Sequence, residues 1–307
     1  VTTVLYIAGW GRSGSTILGN ILGHAPGLFH AGELRYIWDR SLMEDRLCGC
    51  GRPFSRCDTW RGILQRAFGG PGGVDPAWMT AQRERHVRTR HLPLLLLPGR
   101  RDATARRLAG YLEQLSRLYR AVCEHTGCRV IVDSSKFPTH AYALDLMPEI
   151  ELYLVHLVRD PRAVAFSWMR RKRNPDAPGG TFMVRHGPLQ STALWLGWNL
   201  ATELLWGRRR GRYLLVRYED FVQRPRPAVE NILSLVGAGG SDLPFVSERE
   251  VRLEQNHTVS GNPNRSHRGS VELRLDDEWQ RRMPAHRRLV VDALAWPRLA
   301  AYGYPLL

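Results

Sequence analysis

The sequence predicts an α/β protein: a P-loop-type parallel sheet flanked by helices, with a mostly helical insertion. Three observations carry this expectation. Four short apolar runs rich in β-branched and aromatic residues, Val4–Ala8, Val130–Val132, Leu152–Val158 and Tyr213–Val216, have the length and composition of buried strands. Each leads into polar or Gly/Pro turn residues and then helix-like sequence, the alternation of a parallel sheet covered on both faces. The first run passes directly into a Gly-rich turn ahead of an apolar helix that starts at Ile17. A fifth, shorter strand is expected around Phe29.

Right-handed crossovers then place the loops at the strand C-termini along one sheet edge, where ligands bind. From about Trp38 to Glu124 the rhythm breaks. This span holds a Cys-rich turn, a Pro/Gly cluster from Gly69 to Pro76, and charged helical stretches at Thr80–Arg90 and Thr104–Arg120. It reads as a helical insertion (38–124) within a single domain (1–307), folded over the sheet edge where ligands bind. Arg170–Gly180, basic and then Pro/Gly-rich, reads as a mobile loop.

A content of 43% hydrophobic and 24% charged residues excludes fibrous and disordered classes. The longest apolar run, Leu92–Pro98, contains Pro93 and falls well short of the roughly 20 residues of a membrane span. The formal charge of +15 suggests an anionic partner, although all but two of the 44 basic residues are arginine, as GC-rich codon usage alone would produce. Five scattered cysteines do not form a secreted disulfide framework, and no basic, apolar leader precedes the first strand. Both point to a cytoplasmic protein.

The turn after the first strand reads Gly9-Trp10-Gly11-Arg12-Ser13-Gly14-Ser15-Thr16. Strand, Gly-rich turn and helix N-terminus make an anion cradle, because free backbone N–H groups and the positive helix end point at one spot. Gly9 and Gly14 have the spacing of a nucleotide P-loop, but Ser15 stands where that motif needs its lysine. The cation comes earlier, as Arg12. A second candidate anion site follows the Leu152–Val158 strand. Asp160 is a good N-cap and Pro161 a good first helical residue, with Arg159 at the strand end and Ser167 eight residues on.

Arg12 to Thr16 resembles the 5′-phosphosulfate loop of sulfotransferases that use 3′-phosphoadenosine 5′-phosphosulfate (PAPS). The Arg159/Ser167 pair is similar to the 3′-phosphate site of that family. Val216 to Phe221, with Tyr218, resembles the family segment that packs near the cofactor. His257 to Arg268, with Arg265, resembles the late basic loop over the nucleotide, and Leu299–Pro305 the C-terminal end. The likeness is closest to bacterial and tyrosylprotein-type branches and weaker to cytosolic small-molecule members. It implies transfer of a sulfuryl group from PAPS to a hydroxyl of a small-molecule, glycan, lipid or peptide acceptor, to which the helical insertion contributes a site, with adenosine 3′,5′-bisphosphate as product and no metal.

The resemblance also points to Glu33, in Ala31-Gly32-Glu33, as general base, since a Glu at similar spacing has that role in tyrosylprotein-type members; a surface Glu paired with Arg35 is the plain alternative. His30 is the second candidate base. Lys136, which closes Asp133-Ser134-Ser135-Lys136, is the candidate cation for the bridging oxygen, with Arg12 sharing the work. Asp133 reads either as a structural residue of that turn or as a Walker-B-like Mg²⁺ ligand. Cys48, Cys50 and Cys57 do not have a standard zinc-finger spacing and are expected to bind no metal, although a nearby His would complete a site. Helical spacing assigns Trp195 and Trp198 to the core, while Trp38 and Trp168 are candidates to line an acceptor pocket. The alternatives are a P-loop kinase or NTPase with Mg²⁺, and a basic nucleic-acid binder. The latter requires arginines lining one groove with interleaved aromatics, whereas here they are scattered through helices. No nucleic-acid partner is therefore expected.

Overall fold

The computed structural model describes residues 1–97, 99–174, 176, 181–239 and 242–306. Five parallel strands form the central sheet: β1 (Thr2–Ala8), β2 (Leu28–Gly32), β3 (Val130–Lys136), β4 (Ile150–Val158) and β5 (Tyr213–Arg217), in the order β2-β3-β1-β4-β5. Their burial explains their composition. Along β1, Val4, Tyr6 and Ala8 face one core layer and Leu5 and Ile7 the other, so both faces must be apolar. The helices Ser15–Leu22 and Pro225–Leu235 cover one face. The helices Asp58–Phe68, Arg101–Thr126 and Pro138–Asp145 cover the other. Among the described residues no helix is long and apolar enough to cross a membrane.

The register sets the working edge. Ala8, the last residue of β1, lies opposite Lys136 of β3 and His156 of β4, and Gly32 of β2 lies opposite Asp133. The residues that follow β1, β2 and β4 therefore leave the sheet at one level. Because β1 is flanked by β3 on one side and β4 on the other, their loops diverge and open a crevice.

Several elements depart from the sequence expectation. After β2 the chain makes a 3₁₀ turn, Leu34–Tyr36, and a π-helical stretch, Ile37–Met43. Trp38 points into the core against Phe68 and does not reach the crevice, because a wider turn rotates it inward. An antiparallel pair, β6 (Glu250–Leu253) and β7 (Gly269–Glu272), brackets a strap, residues 254–268. Val259 of that strap pairs with Gly32. The expected mobile loop, Arg170–Gly180, falls in part outside the described residues, at 175 and 177–180.

Candidate active site

A cavity of about 820 Å³ opens at the C-terminal edge of the sheet. The loop after β1 forms its floor. Gly9 has φ +129°, and a Cβ there would lie 2.3 Å from the Leu157 carbonyl oxygen, so only glycine lets β1 and β4 meet at this point. Arg12 has φ +72° and Gly14 φ +88°. Two left-handed residues fall in this one short loop, and the helix Ser15–Leu22 starts without a side-chain cap, which leaves its first N–H groups without a side-chain partner. Arg12, Gly14, Ser15 and Thr16 line the cavity. Ser13 is placed differently from the expectation: its hydroxyl donates to the Trp10 carbonyl at 2.7 Å and closes the loop from within.

Arg159 and Ser167 face the same cavity from the end of β4 and the helix Pro161–Met169, which Asp160 caps by accepting from the Arg162 N–H. The Arg159 guanidinium donates to the carbonyls of Arg12 (3.0 Å) and Asp276 (3.1 Å), and pairs with the Asp276 carboxylate at 3.2 Å. It lies 4.5 Å from the ring centre of Tyr218, whose edge in turn covers Gly14. One guanidinium thus joins the phosphate loop, the β4 end and the β5 end. Its Nε and that of Arg12 are buried without an acceptor among the described residues, donors suited to an anionic ligand.

Glu33 and Lys136 form an ion pair at 2.5 Å at the cavity wall. Glu33 is held by its own N–H, which donates to the Val259 carbonyl at 2.7 Å. Lys136 adopts φ +72°, and its ammonium also donates to the Ser134 carbonyl at 2.9 Å. His30 lies elsewhere, between the first helix and the sheet, with Nδ1 3.1 Å from Asn20 Oδ1 and Nε2 3.0 Å from the Ser134 hydroxyl. Burial pushes its pKa down to about 3. Asp133 is fully buried: it accepts from the Ser135 N–H (2.8 Å) and hydroxyl (2.5 Å) and from the Tyr119 hydroxyl. Both oxygens are engaged away from the cavity, so the reading of Asp133 as a metal ligand has no support.

Arg265 reaches the cavity, but its donors are committed. They go to the carbonyls of Thr258 (2.6 Å) and Leu47 (2.5 Å) and to Asp176 (2.7 Å). Arg265 therefore braces the strap 254–268 against the Cys-rich turn.

The sequence reading missed Trp10, Tyr36, Arg40, Phe137 and Lys172, all of which line the cavity; Trp198 is buried in the core, as expected, and also reaches the cavity wall. Trp198, assigned to the core, packs edge-on against Trp10 at 4.6 Å and forms part of the wall, because its helix passes directly beneath the loop. Trp168 lines the cavity with it, and Arg12 stacks 4.8 Å from the Trp168 ring centre. The signals available were the tryptophan inside the Gly-rich turn and the second of only two lysines; Arg40 had none. Electrostatically the cavity works against itself: burial, then Arg12 and Arg170, lower the pKa of Lys172. A bound anion relieves that crowding.

Fold and cavity together define a P-loop-type protein with a cationic crevice at its sheet edge. The profile described as the sulfotransferase family matches residues 5–240, and the chain belongs to that family. Carbohydrate sulfotransferase 3 of Mus musculus is 28% identical over 181 residues, which covers 52% of this chain and 35% of that protein. The Homo sapiens protein of that name is 28% identical over 176 residues, with the same shares. The matches thus span about a third (35%) of the length of these relatives. Two solved structures share the fold. The sulfotransferase domain of the Synechococcus PCC 7002 olefin synthase has a TM-score of 0.51 at 21% identity, over 100% of this chain and 96% of that one. The sulfotransferase domain of the curacin biosynthetic pathway has a TM-score of 0.54 at 15% identity, over 100% and 99%.

Proposed function

We propose that the chain transfers a sulfuryl group from PAPS to an acceptor hydroxyl. The observation that carries this reading is the meeting, in one cavity, of the phosphate loop, the Arg159/Ser167 pair and the Glu33–Lys136 ion pair. In this reading Arg12 and the N–H groups of Gly14, Ser15 and Thr16 hold the 5′ end of the donor. Arg159 and Ser167 hold the 3′-phosphate, and Tyr218 packs beside the nucleotide. The acceptor oxygen bonds to sulfur as the bond from sulfur to the bridging oxygen breaks. The acceptor proton passes to Glu33, whose Oε2 has no hydrogen bond among the described residues. The electron pair leaves on the bridging oxygen. Lys136 uses two N–H groups on Glu33 and Ser134, which leaves a third for that oxygen.

The helical insertion supplies Arg40, Ser41, Arg46 and Thr89 to the cavity, and Trp168, Phe182 and His186 face them. The acceptor enters between these two walls. The carbohydrate sulfotransferase relatives make carbohydrate hydroxyls the first class to test. A kinase or NTPase reading is disfavoured by the engaged carboxylate of Asp133 and by Ser15 in place of the P-loop lysine.

The test is calorimetric titration of the full chain with adenosine 3′,5′-bisphosphate and with AMP, followed by mass spectrometry of acceptors incubated with PAPS. The bisphosphate is expected to bind at least ~10-fold more tightly, the weight of one charge-assisted phosphate contact. Equal affinities, together with ATP hydrolysis that needs Mg²⁺, would transfer the reading to an NTPase.

A further inference from the structure

The Cys-rich turn and the strap 254–268 meet on one side of the cavity. Cys48, Cys50, Cys57 and His257 each offer one ligand atom there, and all four atoms lie within 4.8 Å of one another. Cys57 Sγ and His257 Nδ1 are 3.2 Å apart, although 200 residues separate them in the chain. The three cysteines are buried and carry free thiols. With zinc–sulfur bonds of about 2.3 Å and zinc–nitrogen bonds of about 2.0–2.1 Å, neighbouring ligand atoms of a tetrahedral site stand roughly 3.3–3.8 Å apart. The present spread therefore needs only small side-chain movements to close on an ion.

We propose that Cys48, Cys50, Cys57 and His257 bind one structural Zn²⁺ ion that clasps the strap to the helical insertion. Three sulfurs and one imidazole nitrogen in a tetrahedral cluster select zinc over hard cations, and four protein ligands leave no position for a substrate. Binding releases three thiol protons, and the resulting ZnCys₃His unit carries one net negative charge. Cations already surround it: Arg268 donates to the Cys50 carbonyl at 2.9 Å and Arg265 to the Leu47 carbonyl. The backbone is shaped to the same contact. Gly49 N–H donates to the Thr258 carbonyl at 3.0 Å, and a Cβ on Gly49 would lie 1.9 Å from Asn256 Oδ1. Trp60 locks the fourth ligand from behind, its indole N–H donating to the His257 carbonyl at 2.6 Å.

The clasp explains how a long strap stays in place over the cavity. Val259, two residues beyond His257, receives the Glu33 N–H, and Ser260, Gly261 and Asn262 line the cavity. Sequence spacing concealed the site because it showed three ligands without the fourth. The proposed ion is structural and takes no part in sulfuryl transfer, for which no metal is expected.

Purification of the full chain under reducing conditions, followed by elemental analysis, tests this. About one zinc per chain is expected, falling at least ~5-fold in Cys57→Ser and in the Cys48→Ser/Cys50→Ser double variant. Should those variants not fold, the wild-type chain stripped by a chelator and loaded with Co²⁺ gives the answer: intense visible bands of tetrahedral thiolate coordination are expected. Chelation should also speed amide hydrogen exchange in residues 254–268 at least ~10-fold. A chain that neither carries nor takes up zinc overturns the proposal. So does a weak octahedral cobalt spectrum, an iron–sulfur chromophore, or a disulfide among the three cysteines in a chain purified without oxidant.

Discussion

Replacing one oxygen of Glu33 by nitrogen separates chemistry from binding. Glu33→Gln keeps the size and one acceptor for Lys136 but removes the proposed base, so turnover under chemistry-limited conditions should fall about 10²-fold or more. Affinity for adenosine 3′,5′-bisphosphate should change little, because in the proposed reading Glu33 acts on the acceptor and not on the nucleotide. Near-normal turnover would move the base elsewhere, but not to His30, whose nitrogens are held by Asn20 and Ser134 away from the cavity. Arg159 belongs to the opposite case. It joins the Arg12 carbonyl, Asp276 and Tyr218, so Arg159→Ala removes the donor proposed for the 3′-phosphate and leaves the Asp276 carboxylate without that partner. Burial raises the Asp276 carboxyl, and Arg159 and Arg170 together hold it below its ordinary value; in the variant Arg170 remains beside it at 3.5 Å. The loss of bisphosphate affinity should be about 1.5–3 kcal/mol, measured by calorimetry. An unchanged dissociation constant would place the 3′-phosphate at another cation of the cavity.

At the scale of the element, the loop between β1 and the first helix depends on Gly9 more than on its hydroxyl residues. Gly9→Ala must force a Cβ against the Leu157 carbonyl at φ +129°, and neither backbone can retreat without breaking the β1–β4 pairing. A loss of at least about 2 kcal/mol in unfolding free energy by urea titration is expected. Gly51→Ala, at φ +87° with open space around it, should lose only the backbone term and so serves as control. Elements of this kind were legible in the sequence because their signals are local. Apolar runs mark the buried strands, a Gly-rich turn marks the cradle, and Asp160-Pro161 marks a helix start. The β6–β7 pair was not legible: each strand is four residues long, and the two are separated by the whole strap. Nor was the π-helical stretch, whose wider turn sends Trp38 inward and Arg40 toward the cavity, where its guanidinium donates to the Ser260 hydroxyl at 2.8 Å. The cavity-lining residues Glu33, Lys136 and Arg159, at or beside strand ends, were named from the sequence; the contact of His257 with Cys57 was not, since no spacing rule connects positions 200 residues apart.

Over the whole molecule, buried histidines tie stability to pH: burial lowers the pKa of His30, His140 and His156 alike. His30 keeps a neutral ring, donating from Nδ1 to Asn20 and accepting at Nε2 from Ser134, and burial lowers its pKa to about 3. His156 sits in β4 with Nε2 2.8 Å from Asn199 Oδ1 and Nδ1 2.8 Å from the Tyr213 hydroxyl; burial, opposed by the Asn199 bond, lowers it to about 4. An unfolded chain protonates both near pH 6.5. Below that value the unfolded state binds more protons than the folded state, so stability falls as the solution is acidified, and it is fully present above pH 6.5. At pH 5 neither folded histidine has titrated, and each costs about 2 kcal/mol, from roughly 1.5 pH units at about 1.4 kcal/mol per unit. Together they remove about 4 kcal/mol, a large part of the 5–15 kcal/mol typical of a folded domain. One substitution isolates the share of a single histidine. His156→Gln retains a donor for Asn199 and an acceptor for Tyr213 but cannot be protonated. Urea titrations at pH 7 and pH 5 should show the drop in unfolding free energy smaller by about 2 kcal/mol in this variant than in the wild-type chain. An equal drop in both would mean that His156 does not bear the acid sensitivity.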